Sequence, residues 1–517
     1  VGEDVPLITI GDDLGLGGAL ARIWGRSLTG EKGEGGLYRP LTLTTFLIER
    51  SVWGLNPAGY HFVNILLNAL CTILLYLVAI LFLKRPLYAF LTALLFLFHP
   101  AHPAAVHWIS ARGDLLCTAG YLAGIYFSLR YAIEGGRAKI FLAGAFFLAA
   151  SFSKEMAVTA PVVTVLAVYA GTDETWKGRI RFVFMATFVP ILVFAVLRVA
   201  FLGTSAASGD AYYLAFGRFM VINAVKAGSF LLIPFGHEAA ERLMFAEPQV
   251  FLWLAGFCAL VLGVGLFFAL RRNKRIMLLV AALAVSVLPV MGMAMRWHMY
   301  LPSALLALVI GELLFAKRAR AMNIGIYFTL FLLFGIGFIQ LRSRIGRSSE
   351  LARRLIKQGE VVLENSPKAE GFVFLMLPSK VYRSGTYTNG FVPTLQAVSG
   401  DGRPMLEVIP SVHYGEYRSC EFDLNGSRLT VGFDSPEDYI APRVRSYIIG
   451  ERQLDARETL ITQDGVELRA KGISELGRIS SAEVNLGQDF FPEKSDFFIY
   501  YCGEWLQVDI VEEVSGK

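Results

Sequence analysis

Charge is what this sequence has least of. Asp, Glu, Lys and Arg together make up 18% of 517 residues, while 55% are hydrophobic and 39 are Phe. A soluble core has no use for so much apolar surface, and a mean hydropathy of +0.52 places the chain among polytopic membrane proteins. The formal net charge of +5 is too modest to indicate a nucleic-acid partner. Cysteine is limited to five residues and histidine to seven, and no Cys/His spacing matches a metal site, so no metal and no cofactor are expected. Cys71, Cys117 and Cys258 sit in apolar runs, as packing residues do. Cys420 and Cys502 lie in the polar last third, where an oxidising compartment would let them pair. No internal repeat recurs. A starting Met and a signal peptide are also missing, and the expectation is that a helix precedes Val1.

What is present is a series of apolar runs. A spanning helix needs about 20 residues, and about 17 can suffice. Ten runs are candidates: 62–83, 86–99, 115–133, 140–153, 156–171, 183–202, 250–270, 276–293, 299–316 and 322–341. Every second connector is basic: Lys84-Arg85, then Arg130, Arg137 and Lys139, then Lys177, Arg179 and Arg181, then Arg271, Arg272, Lys274 and Arg275, then Lys317, Arg318 and Arg320. The positive-inside rule makes these cytoplasmic, and the others extracytoplasmic. Stretch 219–235 carries Lys226 and reads as a re-entrant or interfacial helix. Residues 1–341 thus form a helical membrane domain. Arg342, Arg344, Arg347, Arg353, Arg354 and Lys357 suggest an amphipathic helix on lipid headgroups over 342–361. From 362 to 517 the segments FVFLMLP, TYTNGFVPTLQAV, EFDLNGSRLTVGF, ETLITQDGVELRAK and FFIYYCGEWLQVDIV have strand lengths, with hairpin signals at Asn425-Gly426 and Asp464-Gly465. This predicts a β-rich extracytoplasmic domain.

On this topology the titratable residues gather at one membrane face. His61, His99, His102, His107, His237 and His298 share it with Glu3-Asp4, Tyr38-Arg39, Arg112, Asp114, Lys154-Glu155, Arg296 and Tyr300. Lone charges at helix ends usually snorkel to water. Lys154-Glu155 is different, because it interrupts apolar sequence on both sides, where charge is functional by default. A carboxylate pair can act as general base on a hydroxyl, and grouped Arg, Lys and His can hold a lipid phosphate and neutralise it as it leaves. The residues therefore suit transfer of a group from a phospho-lipid donor to an acceptor outside the cytoplasm. A transporter for lipid-linked sugars would instead place charged pairs deep in repeated halves. A non-catalytic scaffold presenting the last domain is the other alternative.

Seven stretches recur in a recognisable order: EDVPLITI, YRPLT, GLNPAGYHFVN, FHPAHPAAVHWISARGDLL, SFSKEMAVTAP, RVAFLG and MRWHMYLPS. Over roughly 1–316 this series resembles the transmembrane-and-tetratricopeptide-repeat O-mannosyltransferases and their bacterial relatives, membrane glycosyltransferases of the GT-C fold. The resemblance implies a polyprenyl-phosphate-linked, mannose-like donor, a protein or glycan acceptor, and a bacterial inner-membrane location with the active site periplasmic. It implies that Glu3 and Asp4 carry the catalytic base. It makes Arg39, His99, His102, Arg112, Lys154 and Arg296 donor-phosphate contacts, with Tyr38, His61, Asp114, Glu155 and Tyr300 in support. Three positions depart from the pattern: Ala104 stands where HPxHxE has its acid, Asn68 where a His is expected, and Glu3 where Asp is commoner. The repeats that name the eukaryotic members are missing.

Overall fold

The computed structural model describes residues 4–25, 37–172, 177–203, 218–233, 273–292, 294–315, 321–375, 380–381, 384–385, 391–403, 405–408, 420–425, 428–433, 459–461, 467–473, 479–485, 495–501 and 504–508. They divide into two units. One comprises 10–208 and 212–342, the other 1–9, 209–211 and 343–517.

The first unit is helical. Its helices are α2 (Leu16–Gly25), α3 (Pro40–Trp53), α4 (Pro57–Leu83), α5 (Pro86–Leu97), α6 (His102–His107), α7 (Arg112–Glu134), α8 (Arg137–Ser153), α9 (Ala160–Gly171), α10 (Ile180–Leu202) and α11 (Arg218–Leu232), numbered after a short α1 at Asp4–Ile8; Lys274–Val287, Tyr300–Phe315 and the start of Ala321–Asn365 complete the series. Among the described residues, four helices are long and apolar enough to cross a membrane: Pro57–Leu83, Ile180–Leu202, Arg296–Leu314 and Ile324–Asn365. The apolar helices Pro86–Leu97 and Glu155–Gly171 are shorter than a span. The expected run 250–270 lies outside the described residues. Stretch 219–235 is helical through Leu232, with Ala227, Phe230 and Leu231 buried.

Prolines at the first or second helical position start α3, α4, α5, α6 and α9, where a missing N–H costs nothing. Asn56 caps α4 by accepting the Ala58 N–H at 3.1 Å. The faces of α4 are sharply divided: Tyr60, Asn64, Cys71, Leu75 and Phe82 are buried, while Phe62, Ile65, Leu66, Leu70 and Ile73 are exposed as a lipid-facing helix requires. α7 is the opposite case. Its charged ends and its Gly, Ala and Ser residues make it a weak span by composition, yet 16 of its residues are buried among other helices. Close packing explains this: a Cβ on Gly120 would come within 2.7 Å of the Phe146 carbonyl oxygen on α8.

α5 and the helix from Ala321 run parallel. Tyr327 donates to the Leu91 carbonyl at 3.3 Å, and farther along Phe98 meets Phe338, ring centroids 5.9 Å apart. Arg342 therefore emerges at the end of the bundle that holds His99. At the other end, the Arg179 guanidinium donates to the Tyr131 and Ala132 carbonyls at 3.3 and 3.0 Å, and Lys139 pairs with Glu134 at 3.2 Å. Cys71 and Cys117 are buried free thiols.

In the second unit, Leu351, Leu355, Ile356 and Leu363 of the long helix pack with Phe372, Phe374, Phe391 and Leu395. The apolar stripe of that amphipathic stretch is thus covered by protein, where the sequence suggested headgroups. The described strands are β1 (Gly371–Leu375), β2 (Lys380–Val381), β3 (Ser384–Gly385), β4 (Met405–Val408), β5 (Cys420–Asn425), β6 (Arg428–Phe433), β7 (Thr459–Ile461), β8 (Glu467–Ile473), β9 (Ile479–Asn485), β10 (Ser495–Tyr501) and β11 (Glu504–Val508). They form sheets ordered β11-β10-β1-β4, β2-β3 and β5-β6-β9-β8-β7. β1 pairs in parallel with both β10 and β4. Phe391–Ser399, read as a strand in TYTNGFVPTLQAV, is a helix. Phe391, Thr394 and Leu395 are all buried, and spacings of three and four put them on one face of a helix, whereas a strand would send Thr394 to the opposite face. Antiparallel pairs flank both hairpin signals, Asn425 opposite Arg428 and Ile461 opposite Glu467. Cys502 and Cys258 lie outside the described residues, so the Cys420–Cys502 pairing does too.

Candidate functional site

Among the described residues, those around the start of α7 form a dense buried polar group in the helical unit. Arg112 is 0% exposed. Its Nε donates to Asn64 Oδ1 at 2.8 Å, one terminal nitrogen to the Tyr60 carbonyl at 2.9 Å, and the other to the Glu49 carboxylate and to Thr45 Oγ1. The Phe46 ring covers the guanidinium, 4.6 Å from its centroid. Arg112 thereby ties α7 to α3 and α4. This is the environment of a framework residue, with its donors spent on protein acceptors. Asn64 extends the framework by donating to the Val106 and Trp108 carbonyls at 3.2 and 3.4 Å.

Two residues on, Asp114 turns to the other side. Its Oδ2 accepts from Lys154 Nζ at 2.5 Å, and both side chains are buried. Beside this pair, Arg39 donates through Nε and a terminal nitrogen to both oxygens of Glu155, at 2.8 to 3.2 Å. Four charges of alternating sign thus come from three segments: the residue before α3, the first turn of α7, and the break between α8 and the 3-10 turn Glu155–Thr159. Glu155 is the accessible member, its side chain 33% exposed against 8% for Arg39.

Gly113, between Arg112 and Asp114, makes this crowding possible. A Cβ there would lie 3.0 Å from the Ser153 carbonyl oxygen, 3.4 Å from Thr42 Oγ1 and 3.9 Å from Arg39 Cδ. At an exposed helix position Gly→Ala stabilises by about 0.4–1 kcal/mol. Here Gly113→Ala is expected to destabilise by about 1–3 kcal/mol through overpacking, read as a lowered melting temperature in detergent. A raised melting temperature would mean that the contact is slack.

The histidines go elsewhere. His99 Nδ1 accepts the Ala101 N–H at 3.2 Å, so its Nε2–H donates to the Leu231 carbonyl at 3.1 Å. His102 lies 3.0 Å from Ser303 Oγ, against the rings of Phe96 and Tyr300. Burial, with the neighbouring His99, pushes the His102 pKa well below its ordinary value. Both side chains are buried in the helical unit. Tyr300, also buried, donates to Asn68 Oδ1 at 2.6 Å, so Asn68 is an acceptor here. Ala104 is half-buried in α6. His61 and His107 are half-buried neighbours, ring centroids 6.5 Å apart. Arg296, half-buried, lies over Phe230 at 5.4 Å and His298 is buried. Tyr38 is buried among Phe152, Phe194 and Phe201, its hydroxyl donating to the Trp24 carbonyl at 3.0 Å. It anchors the chain just before Arg39.

Asp4 is buried and belongs to the unit that contains residues 343–517; Glu3 and His237 lie outside the described residues. Among the described residues no three His, Cys, Asp or Glu side chains converge as a metal site would require. Sequence reasoning missed Glu49, Thr42, Asn64 and Ser303. Glu49 left only a faint signal, an acid beside Arg50 in the otherwise uncharged run LTLTTFLIERSVW.

No protein-family model matches the chain, and no solved structure does. Curated relatives do. The chain is 34% identical to the protein O-mannosyl-transferase Tmtc1 of Drosophila melanogaster over 137 residues, 26% of this chain and 16% of that protein. It is 39% identical to human protein O-mannosyl-transferase TMTC1 over 100 residues, 19% of this chain and 11% of that protein. With human TMTC3 the figures are 29% over 192 residues, 33% of this chain and 20% of that protein. The matches therefore span a fifth or less of those relatives' own length. The resemblance in the sequence motifs is thus to proteins named as protein O-mannosyl-transferases.

Proposed function

We propose that this chain is a GT-C-type glycosyltransferase of a bacterial inner membrane. It moves a mannose-like hexose from a polyprenyl-phosphate donor to a protein or glycan hydroxyl on the periplasmic side, with inversion. The Glu3-Asp4 pair takes the proton from the acceptor hydroxyl. The acceptor oxygen attacks the anomeric carbon as the bond from that carbon to the phosphate oxygen breaks, and the polyprenyl phosphate leaves carrying the extra negative charge. The chain crosses the membrane about ten times, and 362–517 lies outside the cytoplasm as a β-rich domain that meets acceptor or partner.

The observation that carries the reading is the paired quartet Arg39–Glu155 and Lys154–Asp114. It holds two cations in fixed positions beside apolar sequence, which is where a lipid phosphate has to be neutralised. Glu155, the more accessible member, occupies the fork of Arg39 with the two-oxygen geometry a phosphate uses. An arriving phosphate can share that fork. Arg296 and the quartet supply the charge, whereas Arg112, His99 and His102 hold the frame. The names of the relatives support sugar transfer as the chemistry.

The test is hexose transfer in proteoliposomes from a panel of radiolabelled polyprenyl-phosphate hexoses, with a periplasmic protein extract as acceptor. The wild type is expected to turn over one donor, and Arg39→Gln to lose about 10²-fold in kcat, as removal of a transition-state donor does. A wild type that transfers from no donor, or an Arg39→Gln variant at full rate, would sink the reading.

A further inference from the structure

We propose that Glu49 is a positioning residue: by neutralising and holding Arg112, it locks α3 in the placement that brings Arg39 to Glu155. The inference rests on the transferase reading for its kinetic test alone.

Arg39, Thr42, Thr45 and Glu49 recur at intervals of three and four, so they line one side of α3 and its entrance. Each is joined to α7 or to the end of α8. Arg39 reaches Glu155 just past α8, and Thr42 donates to the Ser153 carbonyl at 3.1 Å. Thr45 and Glu49 both receive Arg112. Glu49 lies ten residues from Arg39, about 15 Å along the helix, and so has no contact with the quartet of its own. Its influence has to pass through the rigid body of α3.

The lock has little slack. Arg112 is fully buried and Glu49 is 7% exposed, so neither can turn to water if the other is lost. Gly113 and Asp114 follow directly in the chain, and they face Thr42 with Ser153 and Lys154 respectively. A shift of the Glu49 end of α3 relative to Arg112 is therefore transmitted to Arg39 with no flexible segment between. Fixing one end of α3 to the first turn of α7 and the other to the end of α8 is how the chain sets the separation of Arg39 and Lys154.

The experiment is a double-mutant cycle in the proteoliposome assay with wild type, Glu49→Gln, Arg39→Gln and the double variant, together with Glu49→Asp. Glu49→Gln is expected to lower kcat/KM for the donor at least about tenfold. In the Arg39→Gln background the same change should cost less than about threefold, because the group it positions is gone. Glu49→Asp, which keeps the charge, should recover most of the turnover. Losses that multiply in full would overturn the proposal, as would Glu49→Gln at the wild-type rate. Should Glu49→Gln not fold, the neutral pair Glu49→Leu with Arg112→Met takes its place, with the same expectations. A wild type without turnover tells against the transferase reading, and the positioning role is then decided by melting temperature. There, shifts for Glu49→Gln and Arg39→Gln that fall short of additive support the lock, and additive shifts refute it.

Discussion

Asp114→Asn lowers the melting temperature of the helical unit by roughly 5–15 °C, an expectation that follows from what it does to Lys154. The two side chains are 4% and 5% exposed and 2.5 Å apart. Removing the carboxylate leaves an ammonium buried without its counter-charge, and breaking such a pair costs about 3–5 kcal/mol. Replacing both partners with apolar residues of similar volume is often neutral or stabilising. Asp114→Leu with Lys154→Met should therefore melt near the wild type. It should also be inactive, because it lacks Lys154, one of the cations proposed to receive the leaving phosphate. The combination separates the two roles of Lys154: a single variant that is unstable, and a double variant that is stable but without transfer. Thermal melts in detergent and hexose transfer on the same preparations read both. An Asp114→Asn variant that melts like the wild type would show that the pair is solvated in the membrane. A stable double variant that still transfers hexose would remove Lys154 from the phosphate site.

Lys154-Glu155 is legible in the sequence because two charges interrupt an apolar run, and lipid-adjacent sequence tolerates them only when they are paired. Their partners are legible as residues but not as pairs. Arg39 lies 116 positions from Glu155 and Asp114 lies 40 from Lys154, and nothing local fixes such contacts. Glu49 is hidden for a related reason. Its stretch falls inside a connector of the predicted topology, and a connector offers no helical face on which an acid would stand out. His99 and His102 mislead in the opposite way. Their position at the end of an apolar run suggests an exposed face, but the turn at 99–102 folds them inward against Phe96, Tyr300 and Phe334. α7 shows that composition is a poor guide to a helix surrounded by helices. Small residues let its neighbours approach, and hydropathy then falls although burial rises. Phe391–Ser399 reads as a strand because Phe, Val and Thr favour strands locally, while joint burial of Phe391, Thr394 and Leu395, at spacings of three and four, is the pattern of a helix.

The largest catalytic effect is expected from the acid pair. Glu3→Gln with Asp4→Asn should cut kcat by about 10²–10⁴-fold, the usual contribution of a general base. An amide has nearly the shape of the carboxylate but cannot take a proton, so the change removes chemistry with little change in packing. Asp4 is 3% exposed at the start of α1, which makes the isosteric replacement preferable to alanine. A base acts only as the acceptor oxygen attacks. The loss should therefore appear equally in kcat and in kcat/KM for the donor, with KM unchanged. That pattern differs from Arg39→Gln, where phosphate contact in the ground state would also raise the donor KM. Expression level and melting temperature should match the wild type, which a scaffold would also show. Donor turnover is then the discriminating measurement. Equal rates in the double variant and the wild type would place the base at another carboxylate, and Glu155, the exposed acid of the quartet, would be the next to replace.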